Sequence, residues 1–166
     1  MTKYEVDVVN GLTKEDCAKI KSFVLNDNQS IFYKATSLVS FNEFGYFTGI
    51  VNYKNIPKVE TNMFYGCTNL EQITIPETIT DMDAMVFEKC SKLDVITFLG
   101  DVPTTRDQTF GRYSKMGTEA SSKIIKVKSE YKDSFENTLM PDGTTTNYIK
   151  TIAIDTLGYT IQVISE

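Results

Sequence analysis

Residues 59–76 and 82–99 are nearly the same sentence written twice, at an offset of 23. Phe64/Phe87, Cys67/Cys90, Leu70/Leu93, Ile73/Ile96 and Thr74/Thr97 coincide under that shift. Val59/Met82, Glu60/Asp83, Met63/Val86, Thr68/Ser91, Glu71/Asp94 and Ile75/Phe98 are chemically alike. Tandem similarity at a period of roughly 20–29 residues is the mark of a solenoid, in which each repeat closes one turn and stacks on the next. One coil cannot bury its own apolar face, so the face must be covered by neighbouring coils about 4.8 Å away.

The spacing within a copy predicts how the coil is made. Ile73 and Ile75 lie two apart, as on a strand with both side chains facing the core and Thr74 facing out. Ile96, Thr97 and Phe98 repeat the arrangement. Met63, Phe64 and Cys67, against Val86, Phe87 and Cys90, fit a short helical turn that packs back on the strand. Pro76 stands just past a strand, where a missing N–H does little harm.

Outside the clean copies the pattern wears thin. Residues 4–9 alternate like a strand, Gly11 breaks it, and Thr13 caps a helix running to about 26–28 with Cys17, Ile20 and Val24 on one stripe. Stepping back 23 from Phe64, Cys67, Leu70 and Ile73 lands on Phe41, Phe44, Phe47 and Ile50, a degenerate aromatic copy over 31–57. Stepping forward from Phe87 lands on Phe110. A polar insertion over 111–122 follows, with its strand delayed to 123–128 and a short helix at 131–135. Residues 140–146 carry turn chemistry. The alternating runs 148–154 and 159–164 predict a closing hairpin. The expected fold is therefore one domain: a short α/β repeat solenoid of parallel strands and short helical turns over 36–135. A strand–helix cap over 1–35 and a β-hairpin cap over 136–166 would close its ends.

Composition sets limits on function. The 166 residues are 41% hydrophobic and 23% charged, as in a folded globular chain. A net charge of −5 argues against nucleic-acid binding, which needs clustered Lys and Arg. There is no histidine, which removes the commonest general base and most zinc sites. Three cysteines form no CxxC pair and no disulfide framework. Residues 1–7 lack the apolar stretch of a secretory signal, and no apolar run is long enough to span a bilayer. The expected setting is cytoplasmic or virion-associated, or extracellular if a signal has been removed.

At residues Phe64-x-x-Cys67-x-x-Leu70-x-x-Ile73-x-Ile75-Pro76 the chain resembles the BspA-type leucine-rich repeat. Phe87-x-x-Cys90-x-x-Leu93-x-x-Ile96-x-Phe98 matches the same unit, with Leu99 where Pro is usual. Leu99 to Pro103 followed by Phe110, and Ile125 to Val127 with Tyr131 and Lys132, are similar to the way such arrays finish. The resemblance implies a non-enzymatic protein without cofactor or metal, made for protein binding or assembly. It also implies two alternatives: a structural component of a phage particle, or an exported adhesin or carbohydrate-binding domain.

Candidate sites follow from these readings. Outward strand positions Gln72, Thr74, Val95 and Thr97 are where repeat proteins meet partners; Tyr46 and Tyr53 are the aromatics expected to be partly exposed. The expected partner is another protein or a second copy, with carbohydrate a weaker option and neither nucleic acid nor membrane insertion. Cys67 and Cys90 read as a buried ladder of free thiols. Asp81, Asp83 and Asp101 are candidates for a cation, read first as solvated turn residues.

Overall fold

The computed structural model describes residues 32–42, 58–110 and 115–164. The expected strand–helix cap over 1–35 falls almost entirely outside them, as do Phe44, Phe47 and Ile50. The strands are β1 (Ser40–Phe41), β2 (Lys58–Val59), β3 (Gln72–Ile75), β4 (Asp81–Met82), β5 (Val95–Phe98), β6 (Ile124–Val127) and β7 (Thr160–Val163). Five of them build one sheet in the order β1-β3-β5-β6-β7, parallel throughout. β2 and β4 form a small second parallel sheet. A bridge from Asp81 to Thr104 carries that column into the next coil.

The clean copies behave as their spacing requires. Ile73 pairs with Ile96 and Ile75 with Phe98, and all four are buried with the Thr74/Thr97 positions between them facing out. Phe64 stacks on Phe87 at 5.8 Å and Phe87 on Phe110 at 6.2 Å. Both cysteines are buried free thiols, and each has a partner. Cys67 donates to the Phe32 carbonyl and Cys90 to the Phe64 carbonyl, both at 3.0 Å. A small apolar residue with a weak donor thus gives a second partner to a carbonyl of the preceding coil that already accepts the Ala35 or the Cys67 amide. Cys67 beside it and burial together push the Cys90 thiol far above its ordinary range.

The first coil is set differently from the reading by 23. Phe41 pairs with Ile73, not Phe64, and Phe32 is the residue that stacks on Phe64, at 5.3 Å. The copy is Phe32-x-x-Ala35-x-x-Leu38-x-x-Phe41, all four against the core. Aromatics are dense over 41–50 and produced a false match; the strand ladder and the Phe stack decide the register. The step between equivalent strand residues is therefore uneven: 32 from Phe41 to Ile73, 23 from Ile73 to Ile96, 29 from Ile96 to Ile125 and 36 from Ile125 to Ile161.

The closing hairpin is not formed. Ile149–Ile154 is a π-helical turn, and Thr160–Val163 joins the main sheet parallel to β6. Ile149, Ile152 and Ala153 fit a helical spacing as well as an alternating one, and a parallel partner requires a crossover, which this turn supplies. The end of the chain is thus one more coil. The delayed strand and the short helix α1 (Lys132–Glu136) stand where expected, with Phe135 buried against Phe98 at 5.0 Å. In the expected turn at 140–146, Asp142 accepts from the amides of Thr144 and Thr145.

Candidate binding face

A strand in the main sheet turns alternate side chains to the core and to solvent. The register then assembles two outward rows. Gln72, Val95, Ile124 and Thr160 lie side by side, and next to them Thr74, Thr97, Lys126 and Gln162. The four strand residues anticipated from sequence are therefore brought together on adjacent strands. Tyr46 and Tyr53 lie outside the described residues. Sequence reasoning left Ile124, Thr160 and Gln162 out of these rows because β6 and β7 follow long insertions; only pairing to β5 and β6 reveals their places.

The face is made of mostly uncharged side chains. Thr74 donates to Asn42 Oδ1 at 3.2 Å, tying the row to the first coil. Among the eight row positions the one ionised side chain is Lys126, in a chain of net charge −5. Three acidic groups stand beside the rows instead. Glu71, Asp94 and Glu119, with Lys92 between them, border a polar hollow of about 200 Å³ beside Gln72. Asp94 there accepts from the Ser122 and Lys123 amides at 2.6 and 2.9 Å. Burial works against its charge, but those amides outweigh it and hold the carboxyl below the ordinary range. The carboxylate is engaged in fixing the loop that delivers β6.

Asp81 and Asp83 are not the solvated turn residues expected of them. Asp81 lies in β4 and Asp83 just past it, and Lys58 reaches both, at 3.4 Å from Asp81 Oδ1 and 2.9 Å from Asp83 Oδ2. Arg106 closes on the other Asp81 oxygen at 2.9 Å. Asp101 is separate: it accepts from the Val102 amide and the Ser134 hydroxyl. Among the described residues no group of three His, Cys, Asp or Glu side chains is arranged to hold a metal ion. No helix of the described residues is long and apolar enough to cross a membrane.

Stacked parallel coils around a column of Phe, Cys, Leu and Ile, with one strand face turned outward, define a repeat scaffold of the recognition type. The chain belongs to the BspA-type leucine-rich repeat region family, whose model matches residues 34–160 as six copies. Repeats of this family make a protein-interaction or surface-binding module and are typically non-enzymatic. Neither the curated proteins nor the solved structures contain a match to it.

Proposed function

We propose that this chain is a non-enzymatic interaction module that receives a protein partner on the outward face of its main sheet. The observation that carries the reading is the face itself: two aligned rows spanning four strands, nearly free of charge on an acidic chain. Branched Thr and Val side chains lose less rotamer freedom when covered than long ones do, and the paired strands present them at fixed spacing. Charges kept to the rim would orient a partner and set its rate of arrival more than its affinity.

The test is quantitative capture from the native source with immobilised wild type, Thr74→Arg and Thr97→Arg, alongside a control at Lys132→Ala on the far helix. Proteins held by wild type and by the control but lost from both Arg variants, at unchanged thermal stability, support the reading. Equal retention by the two Arg variants overturns it, as does a wild-type chain that holds nothing at micromolar concentration.

A further inference from the structure

Among the described residues the last coil ends on a strand edge that is open and self-complementary. Thr160 donates its backbone N–H to Lys123 and Ile164 donates to Val127, on the β6 side. Main-chain groups of alternate residues in a strand point to opposite edges. The N–H and C=O of Ile161 and Val163 therefore point away from β6, off the end of the sheet. Their side chains lie on the core side, yet Ile161 is only half-buried and Val163 is 41% exposed, where their counterparts Ile125 and Val127 are fully buried.

Sheet edges are ordinarily protected by a Lys or Pro, a bulge or a covering element. Thr160–Val163 carries no charge and no proline and pairs in regular register with β6. We propose that β7 is a self-association edge, pairing antiparallel with β7 of a second copy about a two-fold axis through Gln162. In that register Ile161 meets Val163 of the second copy and Gln162 meets Gln162 of the second copy. The four outward N–H and C=O groups of each strand then pair completely. Two features select this occupant. The strand is neutral in a chain of net charge −5, so like-charge repulsion between copies is least at this edge. Among the described residues the opposite end of the sheet is β1, two residues long, too short to receive β7 head to tail. A two-fold contact uses one patch twice and closes at two chains, whereas a head-to-tail contact would grow a filament. The pairing does not depend on the outward face having a partner.

Sedimentation equilibrium across the micromolar range, with amide hydrogen exchange on the same samples, tests this. The expected result is a mass rising from one chain to two. Protection at the Ile161 and Val163 amides should rise with it, while the Thr160 and Gln162 amides stay protected throughout. Val163→Pro removes an outward N–H that the chain's own ladder does not use, and Val163→Lys places a charge on the edge; both should leave a folded monomer. A wild type that stays monomeric, a mass that grows past two chains, or a dimer that survives both variants overturns the proposal. The Thr97→Arg variant should dimerise normally, which separates this failure from failure of the binding face.

Discussion

Tyr159 belongs to the fifth coil but fastens to the third. Its hydroxyl donates to the Leu93 carbonyl, and it passes the fourth coil at Gly117. A Cβ on Gly117 would lie 2.6 Å from the Tyr159 oxygen, at a backbone φ of +63° that disfavours any side chain. Gly117→Ala should therefore cost about 2–4 kcal/mol in denaturant unfolding, from strain plus the lost bond. Tyr159→Phe, which removes only the bond, should cost about 1–2 kcal/mol. Equal costs would mean that the close approach is not what Gly117 provides. Cys90 makes a second residue-scale prediction. A thiol held protonated and buried is a poor nucleophile. Iodoacetamide at pH 8 followed by peptide mapping should leave Cys90 unmodified in the native protein and alkylate it once denaturant is added. Native labelling at Cys90 would contradict the thiol-to-carbonyl contact.

At the scale of elements, the π-helical turn over Ile149–Ile154 hangs on Asn147. That side chain is fully buried. Its Nδ2 donates to the Ser134 and Asn137 carbonyls at 2.9 Å, and its Oδ1 accepts from the Ile149 and Lys150 amides at 3.1 and 3.2 Å. Asn147→Ala takes the side-chain partner from four backbone groups, the Ile149 amide buried and the other three partly so, and should cost about 2–4 kcal/mol, read by chemical denaturation. A loss below about 1 kcal/mol would show that water replaces the amide. The elements also mark where sequence reasoning ends. β3, β5 and the Phe110 stack were legible because one period governs them and each contact is repeated. The first coil was misread because Phe41, Phe44 and Phe47 satisfy a spacing rule that only the Phe32–Phe64 stack can arbitrate. The closing turn was misread because Ile149, Ile152 and Ile154 contain both an alternating and a helical spacing. The outward direction of Gln72, Thr74, Val95 and Thr97 was legible for the same reason as the core: they inherit it from buried neighbours one residue away. Lys126 and Gln162 do not announce their row until insertions of unequal length are paired.

Across the whole molecule the coils are held by contacts with their neighbours, and Lys58, Asp81 and Arg106 run through three of them in succession. Burial opposes the Lys58 charge, but Asp83 and Asp81 outweigh it and hold the ammonium above its ordinary value of 10.5. Burial likewise raises Asp83, and Lys58 with the Ala84 amide brings the net below 3.8. The raised Lys58 contributes stability below pH 10.5 that is lost as pH climbs past its folded value. The lowered Asp83 contributes stability above pH 3.8 that is lost as pH falls toward its folded value. Lys58→Met should cost about 1–3 kcal/mol at pH 7, less than breaking a fully buried pair because these groups are partly wet. The gap to wild type should narrow below pH 4, where Asp83 becomes neutral in the variant. A gap that is constant from pH 3 to pH 7 would assign the cost to packing alone.

The uneven coil lengths have a mechanical meaning. A 23-residue coil advances the stack by one strand spacing, yet unravelled it yields about 80 Å of chain, and the 36-residue step at the end yields about 125 Å. Under tension such a molecule lengthens in steps that differ from coil to coil. The size of each step identifies the coil that let go, so the chain works as a ruler with unequal graduations.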